Sequence, residues 1–336
     1  MRFLLDAEQK EFGRTLDRML TASGTPQAVR AWARGEYGPG LALWQRVADA
    51  GVFGLAAPEA YGGFGPLPAE LAVAFVELGR HCVPGPLAET VAATVLLAHL
   101  GGTGPAREWV PRVCAGRARV TLTLPGGGPY ALDAEAADAV FTVTGSGLLS
   151  LSPGHGPVRP SVDPARRPAR PAGGGTLLAS GPAVRAAAAL AADWAAFATA
   201  AQALGAGLAL LDRTVAYARR RTQFGAPIGS FQAVKHRLAD AFTGLEFARP
   251  LVFGAAVALA AGSPTARAEV AAAKAASCDA AYTAARTALQ VHGAIGYTAE
   301  YDLSLWIGKA RALRSAWGGP AECRARALEL FAQGSG

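Results

Sequence analysis

Tyr217-Ala-Arg-Arg-Arg-Thr-Gln-Phe-Gly-Ala-Pro-Ile-Gly-Ser-Phe-Gln-Ala-Val-Lys-His-Arg-Leu-Ala-Asp240 reads as the end of one helix, a turn and the start of another. Arg219, Arg220 and Arg221 load a helix C-terminus with positive charge, where the macrodipole favours it. Gly225, Pro227 and Gly229 then break the helical run. Val234, Leu238, Phe242 and Leu245 recur beyond them at helical spacing. Guanidinium groups beside a sharp turn suit a diphosphate, because each arginine presents a fork of donors to anionic oxygens. A capped helix end with solvated arginines also accounts for these residues.

The chain has 336 residues, enough for two or three packed layers around a sizeable core. Hydrophobic residues make up 51% but aromatics only 8%, so alanine supplies much of the apolar content. With 41 glycines and 22 prolines, this composition suits close-packed helices joined by marked turns. A net charge of +7 raises nucleic acid as a partner, but the arginines are dispersed and no basic run interleaves with aromatics. A small anion or a merely soluble basic surface fits the same charge. Cys82, Cys114, Cys278 and Cys323 lie far apart without CxxC spacing, which suggests neither a metal site nor a disulfide framework. No signal peptide is evident before Leu5. Trp194 to Leu211 carries no charge, yet its Ala/Gly content with Thr199 and Gln202 reads as a bundle helix rather than a membrane span. The expectation is a soluble, cytoplasmic protein without a membrane span or nucleic-acid partner.

Outward from the opening stretch, the N-terminal third reads as helices. Asp6 with Gln9 forms an N-cap and capping box, and Phe12, Leu16 and Leu20 continue one apolar face. After an irregular segment, helices are expected at Leu43–Ala50, Pro68–Gly79 and Thr90–Leu100, with a turn-rich connection over Gly51–Gly63. Near Val120 the period changes. Val120–Leu124, Ala139–Val143 and Leu148–Leu151 read as strands, and four or five short strands suggest a small β-domain. From Pro182 onward the pattern is helical. One long helix ends at Arg221, a second spans Phe231–Ala261 with a bend at Pro250, and a third begins at Ser263-Pro264 and runs towards Val291. Two more are expected at Asp302–Arg314 and Pro320–Ala332, which makes an antiparallel bundle.

The motif Y-A-x-x-R-x-Q-F-G-x-P-I-G-x-F-Q-A-V-K-H-x-L-A-D resembles the signature of flavin-dependent acyl-CoA dehydrogenases. A second block, Gln290-Val-His-Gly-Ala-Ile-Gly-Tyr-Thr-Ala-Glu-Tyr-Asp-Leu303, follows at the distance that family shows. Gly51 to Leu87, with its G-L-x-x-P-E-x-Y-G-G segment, resembles the family's N-terminal helical domain. The resemblance implies an α+β, mostly α fold: an N-terminal helical domain (1–118), a shortened middle β-domain (119–181) and a C-terminal four-helix bundle (182–336). It implies FAD as cofactor. Arg221 would reach the flavin diphosphate of a neighbouring subunit, Phe224 would pack beside its adenosine, and Gln232 would face the cofactor. Gln290, Val291, His292, Gly293 and Ala294 would contact FAD across the interface, with Ala294 where glycine is usual.

The family's chemistry needs a carboxylate that removes the α-proton of the acyl-CoA. Its usual Y-E-G-T segment matches Ala316-Trp-Gly-Gly319, so Trp317 occupies the Glu position and Gly319 the Thr position. The alternative seat, at the start of the long helix, matches Ala195, with Ala196 where an arginine often follows. The T-E-P-x-x-G-S-D segment of the β-domain is replaced by Pro125-Gly-Gly-Gly-Pro129. Glu300, Asp302, His292 and Asp193 are the remaining candidates for proton transfer, although Glu300 belongs to the family's structural pattern.

Cofactor contacts without a base resemble the second subunit of actinobacterial α2β2 acyl-CoA dehydrogenases, some of which act on CoA-activated steroid side chains. The implied function is a subunit of an assembly that oxidises an acyl-CoA to a 2-enoyl-CoA. A longer paralogue would supply the Glu, and electrons would pass to an electron-transfer flavoprotein. A self-sufficient homo-oligomer with a relocated base and a flavin-free scaffold are the alternatives. The acyl group, whether steroid, fatty or polyketide-derived, is not legible.

Overall fold

The computed structural model describes residues 5–102 and 104–333, so the first four and last three positions of the expected domain ranges lie outside it. Six helices come first: α1 (Ala7–Thr21), α2 (Thr25–Ala33), α3 (Gly38–Asp49), α4 (Pro68–Arg80), α5 (Leu87–Leu100) and α6 (Gly104–Cys114). The capping box that opens α1 is complete. Gln9 N–H donates to Asp6 Oδ1 at 2.8 Å, and Asp6 N–H donates to Gln9 Oε1 at 3.1 Å. Leu16 and Leu20 are buried on its inner face. Sequence pattern left Thr25–Ala33 irregular, because Gly24 and Pro26 punctuate it. In the fold these residues start the helix: Gly24 takes φ 60° at the N-cap and Pro26 sits in the first turn, where no backbone donor is needed.

Strands β1 (Val120–Thr123), β2 (Ala131–Leu132), β3 (Ala139–Val143), β4 (Leu148–Leu151), β5 (His155–Val158), β6 (Pro168–Pro171) and β7 (Thr176–Ser180) follow. This corrects the expected four or five strands to seven, arranged as two sheets ordered β1-β3-β4-β7 and β2-β6-β5. The β1/β3 pair is parallel, with Leu122 opposite Phe141, and the other pairs are antiparallel. The unexpected strands are short or carry prolines at both ends, as β6 does, which hides the alternating pattern.

α7 (Pro182–Arg220) leads through a two-strand hairpin, β8 (Thr222–Gln223) and β9 (Ala226–Pro227), into α8 (Gln232–Ala260). α9 (Ala266–His292), α10 (Leu303–Ser315) and α11 (Pro320–Gln333) complete the chain. α8 continues past Pro250, whose side is exposed. α9 begins two residues later than Pro264. Ser263 Oγ accepts from Thr265 N–H at 3.2 Å, which places the polar cap ahead of the first helical residue.

α7 through α10 pack together and α11 lies against α9. α7 is the axis of the molecule, because glycine and alanine let neighbouring backbones approach it. A Cβ on Gly205 would stand 1.9 Å from the Val76 carbonyl oxygen, and one on Gly79 would stand 2.0 Å from that of Gln202. α4 and α7 therefore cross with backbones in contact. By length and composition, α7 and α8 are both long and apolar enough to cross a membrane. The apolar window of α7 is wholly buried inside the fold, whereas that of α8 is only 33% buried.

Candidate functional site

The two sequence blocks meet where α7 and α9 end. The Tyr217 ring stacks on His292 at a centroid distance of 4.0 Å. His292 Nδ1 donates to the Ala288 carbonyl at 2.8 Å, while its buried Nε2 has no hydrogen-bond partner. Burial pushes this imidazole below the usual histidine value, so it is neutral at pH 7. Gly293 follows with φ 65°, turning the chain so that Gln290, Gly293 and Ala294 are exposed and Val291 half-buried.

Beside them the β8–β9 hairpin is closed by Thr222 opposite Pro227, and Ile228 N–H donates to the Arg221 carbonyl at 2.8 Å. Phe224 at its tip has φ 54° and is 95% exposed. Its ring meets that of Phe231 edge-on at 6.3 Å. A bulky apolar residue held outward in a strained backbone region is a feature that needs a partner. Arg221, Gln232 and Gln290 are exposed, and among the described residues none of their side chains makes a hydrogen bond or ion pair. This end of the molecule thus offers a free guanidinium fork, two free amides and an uncovered aromatic ring, all directed away from the chain's own core. A guanidinium fork suits anionic oxygens such as those of a diphosphate, and an uncovered ring suits stacking or packing.

A second feature lies inside the chain. A cavity of about 590 Å³ opens between β1, the Ser161–Pro168 segment and residues 311–320. Trp317 projects into it from φ 57°, an unusual backbone conformation for a bulky residue. Its indole N–H donates to Glu89 Oε1 at 3.1 Å. The loop is held from below by buried Lys274, whose Nζ donates to the Gly318 carbonyl at 2.9 Å and the Leu313 carbonyl at 3.2 Å. Glu89, in the first turn of α5, is 4% exposed. Arg166 Nη2 stands 3.6 Å from its Oε1, and its Oε2 is buried without a partner.

Sequence reasoning missed Glu89. The signal was available, since α5 is otherwise a nearly continuous apolar helix in which one carboxylate is conspicuous. The other carboxylates are elsewhere. Glu300 is exposed, and its backbone carbonyl accepts from Arg30. Asp302 pairs with Arg30 at 2.6 Å, and neither residue lines the cavity. Asp193 is buried between Arg267 and Arg326, a structural ion cluster. Ala195 is fully buried inside α7.

Family models for the acyl-CoA dehydrogenase N-terminal domain and C-terminal domain match residues 6–117 and 185–329. Among curated proteins, acyl-CoA dehydrogenase IpdE2 of Mycolicibacterium smegmatis is 32% identical over 94% of this chain and 96% of its own length. Among solved structures, a Tcur3481-Tcur3483 steroid ACAD variant superposes with TM-score 0.85 at 26% identity, covering 98% of both chains. The ChsE4-ChsE5 complex from Mycobacterium tuberculosis does so with TM-score 0.79 at 25% identity, covering 99% of both.

Proposed function

This chain belongs to the acyl-CoA dehydrogenase family, FAD-dependent oxidoreductases acting on CH–CH bonds, and we propose that within it the chain completes the flavin site of a partner subunit. The observation that carries this reading is the pairing of exposed, unpartnered polar side chains at the ends of α7 and α9 with two positions that lack a base. Among the described residues the side chains of Arg221, Gln232 and Gln290 make no hydrogen bond or ion pair, and Trp317 and Ala195 cannot take a proton. FAD, when bound, accepts hydride from the acyl-CoA. The residues of this chain would hold and orient it: Arg221 by charge-assisted hydrogen bonds to the diphosphate, Gln232 and Gln290 by amide contacts, and Phe224 by packing. His292 has its Nδ1–H committed to Ala288, so it would space the Gly293 turn rather than shuttle protons. A longer relative would supply the α-proton acceptor, in an α2β2 assembly that delivers a 2-enoyl-CoA and passes electrons to an electron-transfer flavoprotein. The two structural relatives described above, each named as a pair of proteins, support that arrangement.

The test is flavin content. The chain purified alone should be colourless, and the chain purified with its longer partner should carry one flavin per pair. Arg221→Ala should weaken flavin retention by about tenfold or more while leaving the pair assembled, since a charge-assisted hydrogen bond is worth about 1.5–3 kcal/mol. A chain that is yellow alone and bleaches with an acyl-CoA would overturn the reading in favour of a self-sufficient enzyme.

A further inference from the structure

α1 and α4 pack against one another, and three side chains able to ligate a metal meet where they touch. Glu77 in the last turn of α4 and His81 at its C-cap are four residues apart, so they share one face of the helix. Asp17 reaches across from α1. His81 Nε2 and Asp17 Oδ1 are 2.8 Å apart, and one ligand atom from each of the three residues lies within 4.8 Å of the others. Around a tetrahedral zinc ion with bonds of about 2.0–2.1 Å, ligand atoms stand about 3.3 Å apart. Opening the His81–Asp17 contact slightly and drawing Glu77 in meets that spacing by side-chain rotation alone.

The Glu77 carboxylate is undercompensated where it stands. Its Oε2 is buried without a hydrogen-bond partner, and the guanidinium beside it, Arg80 Nε, is 3.7 Å away. Arg80 is committed elsewhere, with Nη2 donating to Asp212 at 2.8 Å. Burial, with the Asp17 charge adding to it, raises the Glu77 carboxyl to about 7. A cation between the two carboxylates would offset both effects. Burial also holds the His81 imidazole below the usual histidine value, so at neutral pH it offers a lone pair rather than a positive charge. The neighbouring cations have their own partners: Arg14 bonds Glu11, Arg249 bonds Glu246, and Arg213 lies over the Trp306 ring. Asp17 and Glu77 line a cavity of about 340 Å³ between α1, α4, α7 and α8, which gives an ion a path from solvent.

We propose that Asp17, Glu77 and His81 form a binding site for a divalent transition-metal ion, zinc being the best match, which ties α1 to α4. An imidazole nitrogen with two carboxylate oxygens suits zinc, and three protein ligands leave the fourth position to water. As Nε2 of His81 exchanges Asp17 for the ion, the ring proton is carried on Nδ1. None of the three residues belongs to the motif blocks around Arg221 and Gln290, so the inference is independent of flavin capture. The spacing of the cysteines pointed away from a metal site, and this one uses none of them; Asp17 and His81 are 64 positions apart.

Calorimetric titration of the full chain with zinc chloride, together with visible absorption of the chain loaded with cobalt(II), tests it. One zinc should bind per chain and raise the Tm, and cobalt should show the intense d–d bands of a four-coordinate site. Asp17→Asn, at an exposed side chain, leaves the fold intact and should weaken zinc binding about tenfold or more, and His81→Gln should do the same. The zinc-induced rise in Tm should shrink in both variants, each compared with its own zinc-free Tm so that a change in fold stability is not mistaken for loss of the ion. No stoichiometric binding, or binding that neither substitution weakens (an adventitious ion only, held elsewhere on the chain), would overturn the inference. The flavin content of the chain with its partner is a separate readout, so failure here and failure of the flavin reading are distinguishable.

Discussion

Lys309 and Asp163 form an ion pair at 2.8 Å with both side chains almost wholly buried. Asp163 also accepts from Ala165 N–H at 3.0 Å, so the pair pins the segment beside the cavity to α10. Removing one partner strands a charge. Lys309→Met should cost about 3–5 kcal/mol in urea unfolding, and adding Asp163→Leu should recover part of the loss. Asp133 behaves differently. Burial pushes its carboxyl from 3.8 up to about 7, against the Trp32 indole and Arg167 N–H that bond it at 3.1 and 3.2 Å. Folded protein therefore holds this proton over a range in which the unfolded chain has released it. The contribution of Asp133 to stability should fall as pH rises from about 4 to about 7. Asp133→Asn should remove that contribution and leave a shallower fall, because burial also raises Glu77 to about 7. Urea midpoints at the two ends of the window measure the difference.

At the level of elements, the Ala- and Gly-rich composition has a geometric purpose. α7 is buried without a break over residues 193–211 because small residues let α4, α8 and α9 come close. Gly205→Ala would drive a methyl group into the Val76 carbonyl, whose neighbours are backbone and cannot swing aside. The expected cost is about 3 kcal/mol or more, at the upper end for overpacking, seen as a lowered Tm. An alanine at exposed Gly225, with no atom within 4 Å, would meet no neighbour, and its cost would come from φ 78° alone. Helix positions in the sequence were legible because Leu16, Leu20, Val234 and Leu238 recur with the helical period. The β2–β6–β5 sheet was not, since prolines in β6 erase alternation.

Across the whole molecule, the face of α8 stands out. Phe242, Phe247, Leu251 and Val257 are 52%, 72%, 42% and 37% exposed, on a helix apolar enough to pass for a membrane span. With Phe224 uncovered at the neighbouring hairpin, this surface matches the proposed partner subunit. Phe247→Glu should leave the unfolding midpoint of the isolated chain within about 0.5 kcal/mol of the parent, because the site is solvent-facing. The same change should abolish the pair, as read by light scattering on a sizing column. A pair that survives it would place the partner elsewhere.

Sequence alone determined the helices that flank the turn over residues 221–231, the family, and the want of a carboxylate at Trp317 and Ala195. All of these depend on residue type at fixed spacing along the chain. It also named Arg221, Gln232 and Gln290, because they sit inside continuous motifs. Only the tertiary structure could show that Tyr217 and His292 stack, that α4 touches α7 through two glycines, and that Glu89 meets Trp317. Glu89 and Trp317 are 228 positions apart. No periodicity or local propensity connects residues so distant; the packing of α5 against the loop after α10 brings them together.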